Sequence, residues 1–338
     1  MSGTVGPSAA LVARPMAVAG SFYPAGSGEL ATTVDELLRA ARSAFPTPPG
    51  LAPAAVAGIL VPHAGLVYSG IVAATAWGLL LPSPARPPST ALPRFAPVEP
   101  PPTTAELPPT TAGLPPTPAE PPPTIVLLGT NHGAGWLDGV GAWDRGPWRT
   151  PLGDVPIDHA LTEALLGLGS PFGADARCHL GEHSLEVQLP FVRRLEPEAR
   201  IVALSVGTGT GPRAIEAGDR LGRLLATRRS AGERILLAIS SDMAHYPAAA
   251  TCERVTVTLL PSIVGLAPES LATTEAGVAR RETGVSCGMC GVAPAVLGLA
   301  ALRAMGAAPG VPLAAATSAD AGGDPRRTVG YLAVAFPA

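Results

Sequence analysis

Lysine is missing altogether from this chain: all 23 of its basic residues are arginine. Alanine and proline are abundant, so the bias reads as genomic and separates no function from another. Charge is scarce as well, 14% of residues against 47% hydrophobic, which excludes the composition of a disordered protein and leaves 338 residues able to bury a large core. The net charge of -3 comes from scattered residues. No basic block is present to neutralise a phosphate backbone or an anionic membrane, so neither nucleic acid nor a membrane is an expected partner. Long apolar runs are lacking too: the most apolar segments, 235–239 and 293–305, fall well short of the ~20 residues that cross a bilayer. Residues 1–16 have neither the charged start nor the ~7 to 15 apolar residues of a secretory signal, and the expected location is cytoplasmic. Cysteine is limited to positions 178, 252, 287 and 290, which make no disulfide framework. In a reducing cytosol Cys287 and Cys290 read as metal-binding or redox-active, or else as two small buried residues. The serine pair Ser240-Ser241 lacks the Gly-x-Ser-x-Gly elbow of a hydrolase nucleophile.

What is present is histidine in short punctuated motifs. Four of the six histidines lie in Pro62-His63-Ala64-Gly65, Gly129-Thr130-Asn131-His132, Gly181-Glu182-His183-Ser184 and Ser240-Ser241-Asp242-Met243-Ala244-His245, followed by Cys287-Gly288-Met289-Cys290-Gly291. Between positions 82 and 123, 17 of 42 residues are proline, too many for the backbone hydrogen bonds of helix or sheet. The expectation is one α/β domain over 1–338, interrupted by a Pro-rich insertion at 82–123. A long surface loop costs little closure entropy; a true boundary at this point is the other reading.

Short apolar runs at 56–61, 124–128, 200–206 and 234–240 read as buried strands. Helical candidates are 29–44, 159–168, 183–195, 212–228, 268–281 and 291–305. Such alternation predicts an α/β sandwich with a mainly parallel sheet, whose ligands bind beyond the carboxyl ends of the strands. His63, His132 and His245 should all project there.

Each motif admits a chemical and a structural reading. Pro62 restricts the backbone before His63 and Gly65 permits a tight turn, which would pre-set a metal ligand; a lone strand-end histidine is also a common hydrogen-bonded structural residue. His132 repeats this design, with Asn131 able to hold the turn through its side chain. In a helix starting near Glu182, the Glu182 and Glu186 carboxylates and the His183 imidazole would come within reach of one face, as a tautomer-fixing or acid/base pair or simply as acidic capping, and Pro190 would bend that helix. Asp242 and His245 could be ligands or a proton-transfer pair. A thiol just before the helix at 291 would have its thiolate favoured by the helix dipole.

Taken in order, these motifs resemble the Memo-like family, whose prokaryotic members are called AmmeMemoRadiSam system protein B. The resemblance covers nearly everything outside the insertion. Beside the histidine motifs it includes Arg14-Pro15, Ala19-Gly20-Ser21-Phe22-Tyr23-Pro24, Tyr68-Ser69-Gly70, Thr150-Pro151-Leu152-Gly153, Leu189-Pro190-Phe191, Cys290-Gly291 with Pro294, and Val329-Gly330-Tyr331.

The resemblance implies a three-layer α/β/α sandwich with a mainly parallel or mixed central sheet, similar to class III extradiol (LigB-like) dioxygenases. It implies one transition metal ion, iron or copper favoured and zinc next, held by two His and one Cys. These fall on His63, His132 and Cys290. The family pattern of Cys-Gly, two residues, Pro selects Cys290, and Cys287 is an extra thiol beside it. Asp242 and His245 match residues lining the family's pocket, with His183 and Glu186 as a second candidate pair. A sulfur ligand in place of the carboxylate of ring-opening dioxygenases softens the site and argues against simple catechol cleavage. Two classes of function follow. One is a redox-active metal protein in an AmmeMemoRadiSam-type pathway, with an AMMECR-type protein and a radical SAM enzyme as partners. The other is a non-catalytic module that binds a small molecule, peptide or partner, or handles metal.

Overall fold

The structure, a computed structural model, describes residues 12–48, 51, 56–80 and 122–338. Of the Pro-rich segment at 82–123, all but the last two residues lies outside the described residues.

Four strands form the middle of the fold: β1 (Val56–Val61), β2 (Thr124–Thr130), β5 (Arg200–Val206) and β6 (Ile235–Ser240). They lie side by side in the order β5-β2-β6-β1, all parallel. Apolar residues run through each without alternating with polar ones because both sheet faces are covered. Along β2, Ile125 and Leu127 pack into one core while Val126 and Leu128 pack into the other, as the two-residue period of a strand requires.

The sheet extends to eight strands. On the β1 side, antiparallel β8 (Gly330–Pro337) and β7 (Val311–Thr317) complete the edge. On the β5 side, β3 (Val140–Ala142) is antiparallel to β5 and carries parallel β4 (Phe172–Ala174). The sheet is therefore mixed, with a parallel centre.

Helices cover both faces. One core includes residues of α3 (His159–Leu166), α5 (Pro212–Ser230), α6 (Ala249–Val264), α7 (Pro268–Arg281) and α8 (Val292–Ala304); the other includes α1 (Ser27–Ala44), α2 (Leu66–Trp77) and α4 (Leu189–Leu195). This is the three-layer arrangement expected. Helix α1 buries Leu30, Val34, Leu38 and Ala41, a stripe at helical spacing. Helix α5 packs on α8 through Gly218 and Gly222, one turn apart: a methyl group at either would overlap the carbonyl oxygen of Leu297 or Ala301.

Two expectations change. Residues 183–195 are not one helix: a 3-10 turn at Glu186–Gln188 leads into α4, which starts at Leu189. Pro190 thus lies in the first helical turn, where its missing N–H removes no hydrogen bond, and it bends nothing. Gly65 has an ordinary φ of -53° and caps α2, so it makes no left-handed turn.

Among the described residues, no helix is long and apolar enough to cross a membrane. Leu80, just before the Pro-rich segment, and Pro123, its last residue, line a cleft with Val56 and Ile235. These are the first residues of β1 and β6, so the cleft lies at the amino ends of the parallel strands.

Candidate metal centre

The opposite end of the parallel strands holds the histidines. His63 follows β1 by one residue, His132 follows β2 by one residue, and 241–245 follows β6 directly. Together with His183 they line a cavity of about 620 Å³ whose walls also include Phe22, Tyr68, Tyr246 and Tyr331. The convergence expected from the strand pattern is present.

His63 is almost fully buried. Its ring lies 5.4 Å, centroid to centroid, from those of His132 and His183, which stack on each other at 4.5 Å. Its Nε2 is 3.2 Å from Cys290 Sγ and its Nδ1 3.0 Å from Ser240 Oγ. The backbone on either side is anchored to Asp242, whose Oδ1 accepts N–H bonds from His63 (2.7 Å) and Ala64 (3.2 Å). Burial pushes Asp242 up to about 7 despite these bonds.

His132 is held by Glu182. One carboxylate oxygen accepts the His132 N–H at 2.8 Å; the other lies 2.9 Å from His132 Nδ1 and accepts the N–H groups of His183 and Ser184. Burial alone would raise Glu182, but the His132 ring and these backbone donors hold it at about 2. A carboxylate only accepts, so Nδ1 is the donor, and in the neutral ring the lone pair falls on Nε2, the usual preparation for a metal ligand. Asn131 closes the loop as expected, accepting the Ala134 N–H at 2.7 Å and donating to the Ala134 carbonyl at 2.5 Å.

Cys290 is not among the residues lining the cavity but is brought against His63, because segment 286–290 is tied to the β6 loop through Ser286 N–H to the His245 carbonyl, His245 N–H to the Cys287 carbonyl and Cys290 N–H to the Asp242 carbonyl. Gly291 makes this possible: its N–H donates to Ser241 Oγ at 2.8 Å, and a Cβ there would sit 2.5 Å from Ser241 Cβ. Burial raises the Cys290 thiol well above its ordinary range, and Asp242 and Cys287 push the same way. Both act against the thiolate that a helix N-terminus would favour. Cys287 is pushed up to about 11, again chiefly by burial.

Burial likewise lowers His63, with His183 and His132 adding to the effect, and lowers His183 and His245, the last to about 4. His245 Nε2 stands 3.9 Å from Asp242 Oδ2, beyond hydrogen-bond range, and has no hydrogen-bond partner among the described residues. Neutral imidazoles with available nitrogens, one of them buried without a partner, beside a thiol are a donor set suited to a transition metal.

Two groups can hold an ion within the described residues: His63, His132 and His183, and His63, Asp242 and Cys290. His63 belongs to both, whereas His132 and Cys290 fall in different groups.

Glu186 is not in the pocket. Its carboxylate accepts bonds from Arg14 Nη1 (2.5 Å), the Ala17 and Val18 N–H groups and the Tyr23 hydroxyl (2.6 Å). The expected pairing with His183 depended on a helix that does not form; the carboxylate beside His183 is Glu182, with Oε1 3.6 Å from Nδ1. Arg14 extends this support. It donates to the carbonyls of Glu182 (2.5 Å) and His179 (2.9 Å) and lies over the Trp148 ring. Nothing in the sequence linked Arg14 to a loop some 170 residues away.

The fold and site define a three-layer α/β/α protein with a histidine-rich pocket at the carboxyl ends of its parallel strands. A family model described as "Memo-like protein" matches residues 14–86 and 117–335. The MEMO1 family protein MK0963 of Methanopyrus kandleri is 30% identical over 325 residues, 96% of this chain and 98% of that one. A MEMO1 family protein of Aquifex aeolicus is 32% identical over 325 residues, with the same two coverages. The chain belongs to the Memo-like family. Among solved structures, uncharacterized protein JW3007 from Escherichia coli K12 has a TM-score of 0.38 at 18% identity, covering 63% of this chain and 86% of that one, a likeness too slight to bear on the fold.

Proposed function

We propose that the chain is a redox-active metal protein, binding one iron or copper ion, with zinc the third candidate. The observation that carries this is the presence of two potential ligand groups meeting at His63. His63, common to both, would be joined by His132 from one group and Cys290 from the other, the set that the family resemblance implies. The bound ion would supply one-electron or oxygen chemistry. Asp242, His245 and His183 line its surroundings, where Asp242 and His245 would each hold or move a proton and Glu182 would keep His132 oriented. Glu186 acts at a distance, through Arg14 and the loop carrying Glu182. The partners proposed are an AMMECR-type protein and a radical SAM enzyme in a modification pathway located in the cytoplasm.

A second reading, a peptide- or partner-binding or metal-handling module, draws on the exposed Val67, Tyr68 and Tyr246 at the cavity mouth. Metal analysis decides the first point. Protein purified without affinity-tag nickel, anaerobically and under reducing conditions, should carry about one equivalent of metal, and His63→Ala and Cys290→Ala should lose it. A metal-free wild type, or variants that retain the ion, would refute the ligand set. With metal present, oxygen uptake with a panel of catechols and other small reductants separates the readings: no uptake favours binding or metal handling.

A further inference from the structure

We propose that Ser240 is a positioning residue that fixes the tautomer of His63, presenting Nε2 as the only ring nitrogen free to bind a metal. Its purpose rests on the metal-site reading above; its geometry does not.

The argument uses groups that can only donate or only accept. Trp77 Nε1 is a donor only, and it lies 2.8 Å from Gln188 Oε1, which fixes the orientation of that amide. Gln188 Nε2 therefore donates, to the Pro62 carbonyl at 2.9 Å and to Ser240 Oγ at 3.0 Å. Ser240 Oγ also lies 2.6 Å from the Ser184 carbonyl oxygen, which cannot donate, so the single hydroxyl proton of Ser240 occupies that contact. What remains on Ser240 Oγ is one lone pair facing His63 Nδ1 at 3.0 Å. Nδ1 must then carry a proton and donate it. The neutral ring is left with its lone pair on Nε2, the nitrogen that faces Cys290 Sγ.

Two consequences follow. Ser240, fully buried with its proton and both lone pairs engaged, is unsuited to act as a nucleophile. The two ligand groups share His63, and with Nδ1 engaged by Ser240 only Nε2 is left to serve either, so His63 supports one ion and not a two-metal centre.

The test reads the tautomer directly. Long-range proton–nitrogen NMR on metal-free protein, with His63 assigned by comparison with His63→Gln, should show Nδ1 protonated and Nε2 bare in wild type. In Ser240→Ala the acceptor is gone, and the ring should pass largely to the Nε2–H form. Zinc affinity, measured by chelator competition, should fall about 10- to 100-fold, the usual effect of losing a partner that orients a ligand. Gln188→Met is the control. It removes a buried polar group from the same network, but leaves Ser240 donating to Ser184 and accepting from His63, so the Nδ1–H tautomer should persist. An Nε2–H ring in wild type, an unchanged tautomer in Ser240→Ala, or an equal shift in Gln188→Met would overturn the proposal. If wild type shows the expected tautomer but binds neither zinc, iron nor copper, the metal reading fails while the tautomer assignment stands.

Discussion

Replacing Arg14 by methionine tests the support beneath the pocket. The Arg14–Glu186 pair is buried, with side-chain exposures of 1% and 0%. Removing one partner of such a pair leaves the other charge uncompensated and costs about 3–5 kcal/mol. Here the loss is compounded, because the carbonyls of His179 and Glu182 also lose a donor, though Ala17, Val18 and Tyr23 continue to satisfy the Glu186 carboxylate. The lower part of that range, about 3 kcal/mol, is therefore the estimate, a large part of a total stability on the order of 5–15 kcal/mol. At roughly 2 °C per kcal/mol for a chain of this length, the midpoint should fall by about 6 °C. Replacing the whole pair with apolar residues often restores stability elsewhere. Arg14→Met with Glu186→Leu should not, since the Ala17 and Val18 N–H groups, the Tyr23 hydroxyl and the Glu182 carbonyl would still lose their partners. Urea denaturation of the two single variants and the double variant gives the numbers. A loss under about 1 kcal/mol in Arg14→Met, or full recovery in the double variant, would refute the idea that this pair is held by its surroundings as much as by its own attraction.

Three further outcomes are expected. Glu182→Gln should weaken metal binding about 10- to 100-fold by releasing His132 from its carboxylate, measured by chelator competition with the circular dichroism spectrum unchanged. Gly218→Val should force α5 and α8 apart and cost about 1–3 kcal/mol or more in a denaturant titration. His179, held neutral by burial with its pKa near 4, should make stability pH-dependent. The folded state binds fewer protons than the unfolded state between pH 4 and the ordinary histidine value of about 6.5, so stability is present above 6.5 and is lost as pH falls towards 4, by about 3 kcal/mol. Comparison with His179→Gln isolates this share, and equal slopes in the two proteins would rule it out.

The central strands were legible because residues buried on both faces leave uninterrupted apolar runs, and the polar residues ending those runs mark where the pocket must lie. Helix α1 was legible from its apolar stripe. Helix α2 was not: Leu66–Trp77 is buried around most of its circumference, so no polar face appears and the period is lost. Helix α6 was hidden by the internal Pro261, and β7 by the mixed exposure of an edge strand. Within the site, each histidine could be placed from its neighbours in sequence. Their supports could not, since Arg14 reaches Glu182 and Ser240 reaches Ser184 across the fold, and a hydrogen bond between distant segments leaves no local spacing to read. Glu186 illustrates the converse error: a helical spacing suggested a partner that the chain reaches only if the helix exists.

The cleft between Leu80, Val56, Pro123 and Ile235 separates two kinds of change that selection could act on. The residues that flank the segment at 82–123 lie at the amino ends of the strands, while the candidate ligands gather at the carboxyl ends. A change made at Leu80 or Pro123, where the chain leaves and rejoins the sheet's amino end, is therefore made a strand's length away from the loops that carry the chemistry.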